Sequence, residues 1–314
     1  MQGWGFLWAT IFLFSTIEVA TKIILREIVS AVGAFTSYDA LVLAGFRFFI
    51  GGVFLIAVAP GRWWRALRKM ARRDRIRLGL LGFLGVPAYT ALFHLGLRTI
   101  PAAQGAVIFS MTPIFVAGLA PALLKESLTL RKIAGILVGF VGVIILCRLD
   151  GSFGRVSAGS LLMLCASFFF ALYTVLGKRI FGSSQGPLIG TTFVLGSLPF
   201  VPLLWMDSVR LPSQIFSNSL VFLNVFHLGL IATGLGYLFY FKGLHRVGAS
   251  RGTTLFYLKP LFASLLAAVI LGEGITTTMV AGTAVILSGL FLVTGASESS
   301  GKSEGQRDVE AHLH

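Results

Sequence analysis

Ten apolar windows of about 20 residues, cut at charges, prolines and glycine clusters, follow one another through this 314-residue chain. They fall near residues 3–24, 38–59, 78–97, 102–124, 130–148, 157–177, 186–206, 219–241, 250–271 and 276–294. A helix of that length crosses the hydrocarbon core of a bilayer, and ten in series leave almost no sequence for a solvent-facing side. Charged residues make up 12% of the chain and hydrophobic ones 56%, whereas a soluble domain carries about 25% charged residues. The chain reads as an all-α integral membrane protein. Its first window lacks the basic flank of a secretion signal and is longer than such a signal's apolar part, so it reads as a retained helix. Residues 295–314 are polar and aperiodic, which predicts a disordered cytoplasmic tail.

A net charge of +14 taken alone would suit a nucleic-acid partner, but the positions of the charges argue against one. Eight of the 26 basic residues lie between Arg62 and Arg77, beside Trp63 and Trp64 and flanked by apolar windows. That pattern predicts a cytoplasmic loop lying on lipid headgroups. With the N-terminus inside, inner segments hold 18 Lys and Arg and outer segments six. The bias places both termini in the cytoplasm and agrees with an even number of spans.

The chain also repeats itself. Shifted by 147 residues without a gap, 88–146 aligns with 235–293, and 16 of the 59 pairs are identical. The identities include Gly96/Gly243, Phe109/Phe256, Pro113/Pro260, Glu126/Glu273, Gly135/Gly282 and Gly142/Gly289. Apolar composition alone does not align prolines, glycines and glutamates in one register. Each half, 1–148 and 155–294, then holds five helices. Five is odd, so the second half enters the membrane the other way up. Such a 5+5 inverted repeat suits alternating access around a site near the midplane.

Charges inside the windows mark candidate sites. Lys259 costs roughly 2.5–3.5 kcal/mol at membrane depth, and Pro260 beside it removes a backbone donor, so the helix bends or opens there. Ser15, Glu18 and Lys22 share one face of helix one, and Glu18 is placed to pair with Lys259, bind a substrate amine or carry a proton. His94 shares a face with Thr90 and Arg98 and is a candidate proton relay, its bland alternative being a hydrogen-bonded packing residue. Tyr173, Tyr237 and Tyr240 offer apolar walls with polar tips, suited to a mixed substrate. The last two sit near the inner end of their window, where interfacial belt residues are the alternative. Glu126 and Glu273 close helices four and nine and read as architectural, with Thr129 and Thr276 capping the helices that follow. Gly135-x-x-x-Gly139 permits close helix approach, for packing within the chain or for a homodimer seam. Cys147 and Cys165 have no disulfide or metal spacing and read as apolar packing residues.

The Trp4–Gly5 opening, Thr21–Lys22 closing helix one, Arg47–Phe48 in helix two and the paired segments SMTPIFVAGLAPALLKESLT and YLKPLFASLLAAVILGEGIT carry a resemblance. Together they resemble the EamA-type transporters of the drug/metabolite transporter superfamily, over residues 3–294. The resemblance implies a central cavity formed by helices one, three, four, six, eight and nine. It also implies movement, often export, of small metabolites or amino acids across the inner (plasma) membrane. Arg47 is common in the family pattern and so reads as structural, snorkelling toward headgroups, as do the helix breaks at Pro113 and Pro260. Glu18 and Lys259 depart from the pattern, both positions often being uncharged.

The expected partners are therefore membrane lipids, a small-molecule substrate and protons as coupling ion, with no cofactor and no metal. No G-x-x-x-x-G-K-[ST] string supplies ATP chemistry. A membrane enzyme acting on lipid-linked substrates is the alternative. It would need a clustered catalytic set, and the five histidines are scattered. A purely structural or chaperoning subunit would waste a buried lysine and glutamate.

Overall fold

The computed structural model describes residues 2–97, 108–146, 157–181, 185–271, 277 and 280–293, and among them there is no strand. The α-helices are α1 (Gln2–Val32), α2 (Ser37–Ala57), α3 (Pro60–Lys69), α4 (Arg72–Phe83) and α5 (Tyr89–Leu97). They continue as α6 (Thr112–Leu124), α7 (Leu130–Leu146), α8 (Ala158–Phe181), α9 (Gln185–Ser197), α10 (Leu211–Ser217) and α11 (Ser219–Phe226). The last four are α12 (Gly236–Val247), α13 (Ala249–Gly252), α14 (Lys259–Leu271) and α15 (Val280–Val293). Among the described residues, six stretches are long and apolar enough to cross a membrane: Gly3–Val32, Ser37–Ala57, Arg72–Gly96, Ala158–Phe181, Gly186–Trp205 and Ser219–Val247. Thr112–Leu124 and Val280–Val293 are shorter apolar helices, and parts of their expected windows lie outside the described residues.

Local chemistry explains where these helices differ from the expected windows. Helix α1 runs past Lys22 to Val32, because no helix breaker intervenes before Gly33, whose φ of 79° ends it. The basic segment is helical: Pro60 opens α3, a position where its missing N–H costs nothing. None of the α3 side chains is buried, but Trp63 Nε1 donates to Thr191 Oγ1 at 3.0 Å and ties the helix to α9. Between α4 and α5 the backbone widens into a π-turn, Leu84–Ala88, around Pro87, which has no N–H for the α-helical ladder. A second π segment, His227–Leu235, joins α11 to α12. Shifted by 147 residues, the first π-turn falls on 231–235, inside the second.

The repeat reappears in the packing. An added Cβ on Gly135 of α7 would stand 2.7 Å from the Gly289 carbonyl oxygen of α15, and one on Gly142 would stand 2.9 Å from that of Gly282. Gly135 matches Gly282 in the repeat and Gly142 matches Gly289, so this contact is its own mirror image. A pair of equivalent helices related by a two-fold axis meets in this way. The small-residue stripe is therefore used inside the chain. Gly142→Val should cost about 1–3 kcal/mol through overpacking against the Ile286 backbone. A lower melting temperature with unchanged oligomeric size in detergent checks this, and an unchanged melt would refute the seam.

Helix α1 packs on α12, α5 on α8, α2 on α9, α1 on α14 and α6 on α8. One aromatic-rich core runs through the middle of the bundle. Cys165 is exposed, not packed as expected, because it shares an outward stripe of α8 with Leu161 and Phe168, both also exposed. Cys147 lies outside the described residues.

Candidate functional site

The middle of the bundle is built on Tyr237 of α12. Six rings surround it with centroids 4.9 to 6.5 Å away: Phe14, Phe48, Phe170, Tyr173, Phe193 and Tyr240. They come from α1, α2, α8, α9 and α12, so both halves contribute. The Tyr237 and Tyr89 hydroxyls are 3.4 Å apart. Thr174 donates to the Phe170 carbonyl at 2.9 Å and so accepts from the Tyr240 hydroxyl at 3.0 Å. The hydroxyls of Thr233 and Tyr257 are buried without a hydrogen-bond partner among the described residues. A buried hydroxyl without a partner costs free energy that a polar ligand or water can recover.

Tyr237 and Tyr240 are 2% and 0% exposed, so the alternative of interfacial belt residues is overturned. Their helix continues to Val247 instead of ending near 241, which moves both tyrosines away from its end. It is extended by Lys242 and Arg246, which reach outward over the Phe6 ring at 5.7 and 5.2 Å.

Arg47 also lies elsewhere than expected. Its guanidinium carbon stands 4.8 Å from the centroid of the Phe48 ring. It is close enough to His94 and Tyr237 to act on both electrostatically, and its Nε is fully buried. A side chain snorkelling to headgroups would face outward, but the Phe48 side of α2 is its core-facing side. His94 lies one turn beyond Thr90 on α5. Its Nδ1 is 2.7 Å from the Thr90 carbonyl oxygen, which can only accept. Nδ1 therefore carries the proton, and Nε2 is left as the acceptor. Thr90 in turn donates to the Val86 carbonyl in the π-turn.

Helix α14 begins at Lys259, where the preceding 3₁₀ turn Thr253–Leu258 gives way to α-helix beside Pro260. Lys259 is partly buried, and its carbonyl oxygen lies 3.2 Å from Ser15 Oγ of α1, which shares its proton between that carbonyl and the Ile11 carbonyl at 2.7 Å. Helix one thus crosses the broken helix one turn from Glu18, whose side chain lies outside the described residues, as does that of Pro260. The first half has a matching arrangement at buried Pro113. There Ser167 of α8 donates to the Phe109 carbonyl at 3.1 Å and sits 2.9 Å from Thr112 Oγ1. Thr112 is the repeat equivalent of Lys259. Glu273 lies outside the described residues.

Two carboxylates join the halves at opposite ends of the bundle. Near the start of α2, fully buried Asp39 accepts from the Arg210 and Leu211 amides at 2.7 and 2.9 Å, and from the Thr36 amide and hydroxyl. At the end where α2 finishes, Glu126 pairs with Lys178 and accepts from the Ala249 and Ser250 amides at 2.7 and 3.1 Å. Burial pushes the Glu126 carboxyl up. The hydrogen bonds from Lys178, Ala249 and Ser250, with the Lys178 charge, outweigh that and hold it below its ordinary value.

Asp39 was missed in the sequence, although Thr36-x-x-Asp39 before an apolar run has the spacing of a capping box, which it forms. Gly248–Gly252 spells G-A-S-R-G, which has the letters of a nucleophile elbow. It lacks the strand-to-helix context: Ser250 is 1% exposed in α13 and its hydroxyl donates to Glu126 at 3.0 Å. At the Glu126 end, a cleft of about 180 Å³ between α2, α9 and α12 is rimmed by Arg62 and Lys242.

A repeated helical membrane fold, closed at both ends by contacts between its halves around a shared aromatic middle, is the architecture of a membrane transporter. The profile of the EamA-like transporter family matches residues 3–148 and again 157–295, and the chain belongs to that family. An uncharacterized transporter of Archaeoglobus fulgidus is 28% identical over 256 residues, covering 81% of this chain and 88% of its own. A protein of Salmonella typhimurium named a probable amino-acid metabolite efflux pump is 28% identical over 261 residues, covering 80% and 84%. One solved crystal structure shares the fold with a TM-score of 0.77 at 20% identity, over 95% of this chain and 98% of that one.

Proposed function

We propose that this EamA-type transporter moves a small metabolite, such as an amino acid or a related compound, outward across the inner (plasma) membrane. It does so by alternating access between two inverted five-helix halves, 1–148 and 155–294. The observation that carries this reading is the mirrored α7–α15 seam, which sets equivalent elements of the two halves against each other around one aromatic middle. The name of the Salmonella relative supports the substrate class. The excess of basic residues at the Glu126 end supports placing that end, with α3 and both termini, in the cytoplasm.

Within this reading Lys259 and Glu18 contact the substrate or the coupling proton at the break before α14. His94, with Nε2 as acceptor beside Arg47, is a second place for that proton. Tyr173, Tyr237 and Tyr240 form the apolar wall, with the Tyr240 hydroxyl oriented by Thr174 and Thr90 holding the turn beside His94. An enzyme acting on lipid-linked substrates draws less support, since its most suggestive string, at Ser250, serves a helix end.

The test is flux of a labelled amino-acid and metabolite panel in proteoliposomes under a proton gradient. Wild type is expected to move at least one solute. Lys259→Ala and Glu18→Gln, folded by monodisperse elution, are expected to lose roughly tenfold or more of that flux, the loss of one charge-assisted contact. Undiminished flux in both variants would make the pair structural, and no flux of any solute in wild type would overturn the transport reading.

A further inference from the structure

Arg47 is the one basic residue of α2, and its guanidinium stands over the Phe48 ring. Its buried Nε has no hydrogen-bond partner among the described residues. The described carboxylates near the bundle are committed elsewhere. Asp39 serves the amides of Arg210 and Leu211, Glu27 accepts from Asn218 at 2.9 Å, and Glu126 holds Lys178. A partly buried guanidinium whose Nε is sealed from solvent without a partner is costly, and an arriving anion reduces that cost. The geometry points to a carboxylate. We propose that Arg47 is the anion-recognising residue of the transport site, and that the transported solutes carry a carboxylate on an apolar body.

The inference rests on the transport reading and adds a substrate class to it. A planar guanidinium presents paired N–H donors that match the two oxygens of a carboxylate. The Phe48 ring beside it, itself packed on Tyr237 and Phe193, suits an apolar or aromatic body. Helix α9, which packs on α2 from the second half, carries no lysine or arginine and so supplies no second cation there. One anionic group is recognised, on one side of the aromatic middle. His94 of α5 lies within electrostatic reach of the same guanidinium.

The experiment measures melting of purified protein in detergent with sodium acetate, hexanoate and 3-phenylpropionate, and with 2-phenylethylamine as the cation of the same body. Hexanoate and 3-phenylpropionate are expected to raise the wild-type melting temperature more than acetate. Arg47→Met and Arg47→Gln are expected to bind the two acids roughly 10- to 100-fold more weakly, the loss of a hydrogen bond to a charged group. Arg47→Lys keeps part of the effect, and the amine acts alike on all four proteins. Without ligand, Arg47→Met is expected to melt above wild type, because it removes a partly buried charge whose Nε lacks a hydrogen-bond partner. A merely structural arginine predicts the reverse. Equal acid protection in wild type and Arg47→Met overturns the inference, as does a wild type that no acid protects. So does a ligand-free Arg47→Met that melts below wild type, the outcome if Glu18 holds Arg47. Panel flux with no acid protection sinks this inference and leaves transport standing. Acid protection at Arg47 with no flux of any solute sinks the transport reading instead.

Discussion

Asp39→Ala is expected to cost roughly 3–5 kcal/mol, the sum of a lost helix cap and two buried amides left without an acceptor. Asp39 is fully buried and accepts from Thr36 on its own side and from Arg210 and Leu211 of the other half. Alanine removes every one of those acceptors. Asp39→Asn keeps one carbonyl oxygen for the two amides and loses chiefly the Thr36 contact. That milder variant should cost roughly 1–2 kcal/mol. Reversible unfolding in mixed micelles gives both numbers. Equal, small losses in the two variants would show that the Arg210–Leu211 contact does not hold this end together.

Glu126→Ala is expected to cost roughly 2–4 kcal/mol, below the figure for a fully buried pair because water reaches part of this one. The two side chains retain 14% and 16% of their exposure. Removing the carboxylate strands the Lys178 charge and takes two acceptors from the start of α13. The effect has a pH signature. The folded Glu126 carboxyl sits below its ordinary value, so its contribution is whole above that value, about 4.3, and is lost as pH falls through the folded one. The stability gap between wild type and Glu126→Gln should therefore hold from pH 7 to about 5 and close on further acidification. A gap that opened on acidification would assign the stability to another group.

Much of this fold is legible in the letters, because membrane spans are long and apolar and because the repeat carries its prolines and glycines in register. The π-turns are not legible. A π-turn keeps the apolar pattern of the α-helix around it and differs only in which carbonyl each amide meets. The end of α1 is misleading in the sequence because Lys22 and Arg26 look like a boundary, whereas long cationic side chains tolerate a helical position near the membrane surface. Arg47 is misleading for a related reason. Spacing puts a residue on a face of its helix, and only tertiary packing shows that the Phe48 side of α2 turns toward Tyr237. Asp39 carries a readable signal in Thr36-x-x-Asp39, but its partners at 210–211 are 171 and 172 residues away. The pairing of Glu126 with Lys178 and α13 likewise joins segments that no local pattern connects.

The transport reading turns on two ends that open in alternation. The most direct measurement places spin-label pairs across each end of the cysteine-free protein in lipid nanodiscs. One pair spans the Glu126–Lys178 end at Lys125 and Arg179, and the other spans the Asp39–Arg210 end at Tyr38 and Ser213. Pulsed-EPR distances are then compared with and without a transported solute. Alternating access predicts that the two distances shift in opposite senses, one end widening as the other closes. Distances that stay fixed at both ends, or widen together, would contradict it.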